Sequence, residues 1–230
     1  MKRDRMDPIA VILGARGSVP VCGETFRRYG GATTCVFVRL AGQPLVFDAG
    51  TGILALSDCL DEAEREIPLF LSHPHADHLI GLPICRTALD PTRRFSVYAA
   101  PRGGRDALAQ LRSLISPPLW PVGPEALPAE FAFHSLPATL TIGPLTVDSM
   151  EGAHPGGVSL FRVTGDGRRI VFATDCTLSD RLFAALTEFA RDCDLLLIDG
   201  QYSDAEWPTR STFGHSTWTM AARSSLPPQV

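Results

Sequence analysis

The sequence predicts an α/β layered fold, and three observations carry that prediction. Short apolar runs of strand length alternate with segments of helical apolar spacing. Hairpin signals precede this alternation, as in layered α/β proteins rather than all-β ones. Polar residues able to do chemistry sit just past the ends of the apolar runs, where open α/β folds place their sites. The chain has 230 residues, of which 45% are hydrophobic. That is enough for one sizeable core, so a single domain over residues 1–230 is expected.

Residues 1–8 read as a loose leader, and Ile9 to Leu13 as the first strand. A loop from Gly14 to about Gly31 follows, whose glycine spacing does not make a dinucleotide-binding pattern. Thr34 to Leu40 and Leu45 to Phe47 read as a hairpin joined at Ala41-Gly42-Gln43-Pro44. Its second strand ends in Asp48-Ala49-Gly50-Thr51-Gly52. Asp48 is placed either to cap a helix from Ile53 to Glu64 or to orient a metal-binding histidine. Strands are expected at Ile67–Leu71 and Phe95–Ala99, and a helix over Gly104 to Ile115. Five prolines between Pro117 and Pro128 forbid regular helix, leaving 116–130 as an irregular excursion: a lid, a pocket wall, an oligomer contact or a plain connection. Further strands are read at Phe131–Phe133 and within Thr139–Met150, turning at Gly143-Pro144. A hairpin follows around Gly165-Asp166-Gly167, then a helix from Ser179 to Arg191 and a strand at Leu195–Ile198.

The densest chemistry is Ser72-His73-Pro74-His75-Ala76-Asp77-His78, directly after an apolar strand. Three imidazoles and a carboxylate within six residues suit zinc, and also manganese or iron. Burying such groups unpaired costs about 2–7 kcal/mol each, which argues against incidental packing. The blander readings are a hydrogen-bonded loop cluster or a purely structural metal. Two further histidine loops, at Glu151–Gly157 and Thr212–Trp218, carry His154 and His215. Asp175 ends an apolar strand, as Asp48 does.

The net charge is −4 and the pI about 5.8, with no basic arm of the kind that grips nucleic acid. Arg16, Ser18, Arg27 and Arg28 fall in the first long loop, where they meet a phosphate or carboxylate or are simply solvated. Six scattered cysteines make no C-x-x-C pair and read as reduced core thiols. No stretch approaches 18 uncharged apolar residues and the N-terminus is a poor signal peptide, so a cytoplasmic protein with no membrane partner is expected.

The run Ser72 to His78 resembles the H-x-H-x-D-H signature of the metallo-β-lactamase superfamily. Asp48 in a D-x-G-T-G turn, His154 in an H-P-G-G loop and Asp175 after an apolar strand follow in the family's order. The likeness spans Ile9 to Trp218, and Gly14–Ser18 with Gly214–Thr217 makes the chain most similar to the phosphodiesterase branch, with tRNase Z and the phosphoribosyl cyclic phosphate phosphodiesterases. The resemblance implies a four-layer αβ/βα sandwich and two metal ions, zinc or alternatively manganese. It implies one ion on His73, His75 and His154, a second on Asp77 and His78, and Asp175 bridging them. It also implies attack on phosphorus by a metal-bound hydroxide, with Asp77 and His215 as catalytic residues, His215 donating a proton to the leaving group.

One departure stands out. The family adds a last metal-binding histidine, whereas no histidine follows His215 here and Pro227-Pro228 ends any helix. The expectation is a C-terminally truncated sandwich with an incomplete second site, or one completed by His215 or a partner subunit. A missing edge strand favours oligomers, so a homodimer is expected. The favoured function is metal-dependent hydrolysis of a small cyclic or nucleotide-like phosphodiester, with nucleic acid less favoured. The alternatives are a lactone, thioester or amide hydrolase on the same site, and a catalytically impaired metal-binding member.

Overall fold

The structure, a computed structural model, describes residues 9–223. The residues read as a leader, 1–8, and the Pro227-Pro228 stop lie outside them. The chain forms two compact units, 1–136 and 137–230, each built on its own mixed sheet.

The first unit orders its six strands β1-β2-β3-β4-β5-β6. These are β1 Ile9–Gly14, β2 Cys35–Leu40, β3 Gln43–Phe47, β4 Glu66–Leu71, β5 Arg94–Ala99 and β6 Glu130–Ser135. β1, β2 and β3 pair antiparallel, and β3 through β6 run parallel. The β2–β3 turn is tighter than the sequence suggests. Leu40 pairs with Gln43, so only Ala41 and Gly42 are in the loop, both at positive φ as a two-residue hairpin demands. Pro44 therefore belongs to the strand. It lies before Val46, where pairing with β4 begins, so its missing N–H leaves no ladder bond unmade on that side.

The helix expected over Ile53–Glu64 is a 3-10 segment, Thr51–Asp58. Its continuation is taken over by Arg39 of β2, which binds the Glu64 carboxylate at 2.6–3.0 Å and the Cys59 carbonyl at 2.9 Å. Glu64 also accepts from the Asp61 N–H, so 59–64 serves this ion pair rather than a helical ladder. Helix α1, Ala107–Arg112, is shorter than the sequence reading and is capped by the Asp106 side chain on Ala109 N. The proline-rich excursion packs inward: Leu127 and Ala129 are buried in this unit's core and Trp120 lies against it.

Across β3 to β6 the register partners Phe47, Phe70, Tyr98 and His134 stack in one line, with centroids 5.4, 5.1 and 4.9 Å apart. His134, which matches no chemical station in the sequence, ends this ladder on the edge strand.

The second unit orders its five strands β11-β10-β9-β8-β7. They are β7 Thr139–Ile142, β8 Leu145–Gly152, β9 Val158–Gly165, β10 Arg168–Ala173 and β11 Leu195–Ile198, and only β10–β11 is parallel. Helix α2, Asp180–Phe189, is capped by Ser179 and buries Leu182 and Leu186 on the sheet. Two short helices follow, α3 Trp207–Arg210 and α4 Trp218–Arg223. Among the described residues no helix is long and apolar enough to cross a membrane.

All six cysteines are free thiols; Cys35, Cys85 and Cys176 are buried and Cys22 is exposed. Burial pushes the Cys35 and Cys176 thiols well above their ordinary range, which withholds the reactive thiolate. A dithiobis-nitrobenzoate titration of the native protein should therefore find about one fast thiol. Cys22→Ser should abolish that phase, and Cys35 and Cys176 should react only after denaturation.

Candidate metal centre

Clusters of His and Asp side chains able to hold a metal ion are present, and both units contribute residues to them. The first grows from the C-terminal ends of β3 and β4. Asp48, directly after β3, is fully buried and held at φ 61°, a left-handed conformation uncommon outside glycine. It does not cap the following 3-10 segment, whose N-cap is Gly50 with no side-chain hydrogen bond. Its carboxylate instead accepts the Ser72 N–H and Oγ–H, both at 2.8 Å, and lies 2.8 Å from His78 Nδ1. Gly50 lets this turn close: a Cβ there would run into the carbonyls of Asp77 and Thr34.

The loop after β4 then presents its donors. His73 Nδ1 is 3.0 Å from Ser72 Oγ, and its Nε2 is 2.8 Å from His75 Nδ1. The rings of His75 and His78 each stand 4.3 Å from that of His73. Asp77 Oδ2 accepts the Ser18 N–H at 2.7 Å and lies 3.5 Å from His78 Nε2. Ser18 reaches it through a left-handed backbone, φ 69°. Of the loop residues singled out with Ser18, Arg16 lies over the Phe26 ring and Arg28 over Tyr29, while Arg27 pairs with Glu24 on the surface. The sequence-predicted Ser18 thus meets the cluster through its backbone.

The second cluster is formed by His154, Asp175 and His215, whose candidate ligand atoms all lie within 4.8 Å of one another. Asp175 follows β10 at φ 52°. His154 sits after β8, and its Nδ1 is 2.8 Å from the Gly214 carbonyl. A side chain at position 214 would collide with His154 and Pro155, and its φ is 88°, so glycine is required on both counts. His215 is nearly buried, with Nδ1 2.9 Å from Asp199 Oδ2. Asp199 also takes the backbone N–H of Cys176 at 3.0 Å and of Gln201 at 2.9 Å. Ser216 ties the same loops together, donating to the Cys176 carbonyl at 2.6 Å and accepting from Leu178 N at 2.9 Å.

The donor set fits divalent ions. In His78, His154 and His215 the Nδ1 faces a carboxylate or carbonyl, so it carries the proton and leaves Nε2 as the lone-pair nitrogen. All donors are nitrogen or carboxylate oxygen, the set that suits zinc and manganese. The sequence alone assigns no positioning role to Asp199, Ser72, Gly214 or Ser216. Asp199 carried a usable signal: it ends an apolar strand, as Asp48 and Asp175 do.

With the fold and both clusters in hand, the class is defined. The chain belongs to the beta-lactamase superfamily: residues 44–226 match the family described as "Beta-lactamase superfamily domain". Its fold class is the αβ/βα metallo-β-lactamase sandwich, a hydrolase fold. Among curated proteins it is similar to Ribonuclease Z of Natronomonas pharaonis, 35% identical over 106 residues, 45% of this chain and 31% of that protein. Ribonuclease Z of Nanoarchaeum equitans is 29% identical over 104 residues, 44% of this chain and 30% of that protein. The chain thus matches about a third of the length of these relatives. Among solved structures, human tRNase Z, short form, matches with a TM-score of 0.68 at 20% identity, covering 94% of this chain and 87% of that one. A diphosphatase of the PhnP family matches at TM-score 0.66 and 18% identity, covering 94% of this chain and 81% of that one. At these identities the structural matches speak to fold.

Asp48→Ala would strand the Ser72 donors and His78 Nδ1 in the core. Urea denaturation should show a loss of about 3 kcal/mol, with Asp48→Asn losing less.

Proposed function

We propose that the chain is one metallo-β-lactamase-like domain over residues 1–230. In this reading it hydrolyses a small cyclic or nucleotide-like phosphodiester with bound divalent metal, zinc first and manganese second. His73, His75 and His154 would hold one ion, Asp77 and His78 the other, and Asp175 both. Bound there, the ions supply Lewis-acid stabilisation of phosphoryl charge and lower the pKa of a water.

The carrying observation is the shared tautomer of His78, His154 and His215, each with Nδ1 engaged and Nε2 directed. A loop of merely packed histidines has no reason to repeat that arrangement. Asp48 holds His78 through Nδ1 and fixes the Ser72–His73 turn at the same carboxylate. Asp77 is anchored by the Ser18 N–H, which fixes its carboxylate as an oxygen donor at the end of the loop. At His215, Asp199 orients the ring through Nδ1, and a second proton taken up on Nε2 would be the one given to the leaving oxygen as general acid. The names of the similar proteins, ribonuclease and diphosphatase, favour phosphorus over the carbonyl of a lactone, thioester or amide. We further propose a homodimer in the cytoplasm.

Two variants test the reading. Elemental analysis of wild type should find about two metals per chain. His75→Ala should lose about one of them and at least about 100-fold in turnover of bis(p-nitrophenyl) phosphate. Full activity at full metal occupancy would sink the assignment. His215→Ala should lose less metal than His75→Ala, and should lose about 10²–10⁴-fold in turnover of an alkyl-leaving phosphodiester, with a smaller loss when p-nitrophenolate leaves. Equal losses on both would remove His215 as the acid.

A further inference from the structure

We infer that Arg210, seated on Tyr202, is an anion subsite beside the His154–Asp175–His215 cluster, which receives a second phosphate of the substrate. This rests on the phosphodiesterase reading and narrows its substrate class to compounds bearing a further phosphate one nucleoside away from the scissile one.

Tyr202 is the link. It is buried, 6% exposed, and its backbone is fixed on both sides: its N–H donates to the Ser216 carbonyl and its carbonyl accepts from Trp218 N–H. Its ring meets the His215 ring edge-to-face, at 90° and 5.7 Å between centroids. The His215 ring in turn stands 5.2 Å from that of His154. The Arg210 guanidinium lies 5.3 Å from the Tyr202 centroid. It is therefore one aromatic ring removed from the proposed general acid, at the end of a series of edge-to-face ring contacts that starts on a candidate metal ligand.

The guanidinium is held in place but its donors are not spent. Its one carboxylate neighbour, Glu206, is 3.9 Å away, beyond hydrogen-bond reach, and both side chains are about half exposed. Such a pair is worth little. Glu206 is instead bound by Ser203, whose N–H and Oγ–H both go to Oε2, at 3.0 and 2.8 Å. A guanidinium over an aromatic face keeps its five N–H groups for other acceptors, and the Arg210 side chain is half exposed. Those donors match phosphate bidentately. A surface arginine kept for solubility needs neither the buried, doubly anchored tyrosine nor the contact through it to His215.

The test uses the metal-loaded full chain and dithymidine phosphates: TpT, and TpTp and pTpT, which carry a second phosphate at either end. Wild type should prefer at least one phosphate-bearing substrate over TpT by about tenfold or more in kcat/KM, one charge-assisted contact. Arg210→Ala should erase that preference chiefly through KM, and Arg210→Lys should restore it in part. Calorimetry with thymidine 3′,5′-bisphosphate, which contains no diester, reads the subsite without turnover: Kd should rise about tenfold in Arg210→Ala. No preference in wild type, or an equal preference in the variant, would overturn the inference if the bisphosphate affinity is also unchanged. If wild type cleaves none of the three substrates, the phosphodiesterase reading falls, and the calorimetric result alone decides whether Arg210 binds phosphate.

Discussion

A carboxylate with no exposure to water holds the first cluster together. Asp48 cannot be buried as an anion without donors, and the fold gives it three, all from the loop after β4. The reverse dependence is as strong. Ser72 and His78 are themselves buried and take Asp48 as a common acceptor. The parallel pairing of β3 with β4 brings the two strand ends side by side, and the carboxylate converts that adjacency into a fixed loop. Asp48 adopts a left-handed backbone to do so, at a cost of order 1 kcal/mol that these bonds outweigh.

The second unit solves the same problem with different parts. Asp199 at the end of β11 plays toward His215 the part that Asp48 plays toward His78, and it also holds the Cys176 amide beside Asp175. Ser216 adds a second tie between those loops. In both units the regular sheet supplies rigid strand ends, and a buried acceptor aims an imidazole from the loop beyond. Precision of aim comes from the partner of Nδ1 rather than from the histidine itself.

Much of this was legible in the sequence because it is local. Apolar runs with polar ends mark the strands, and the crowding of His73, His75, Asp77 and His78 marks the chemistry. What escaped depends on contacts distant along the chain. Nothing near Ile53–Glu64 reveals that Arg39 will claim Glu64 and end the helix early. Gly214 looks like any turn glycine until His154, sixty residues upstream, packs against its carbonyl. Pro44 reads as a turn residue unless one knows that β4 joins the sheet only further along. Asp199 is different: its strand-end position was visible, but an aspartate before a glycine also fits an ordinary turn.

The stacked line of Phe47, Phe70, Tyr98 and His134 bears on how this chain can change in length. One ring stands on each of four neighbouring strands, so the line records their register. Inserting or deleting one residue in β4 would turn its side chains to the opposite face and displace Ser72 and the histidines by about 3.3 Å along the strand. No single repacking could restore both the stack and the reach of Asp48. Insertions and deletions should therefore be tolerated in connections such as 100–129, which leave the strand count between Phe70 and His73 untouched. Rings that carry no reactive atom thus set the reading frame in which the reactive ones are placed.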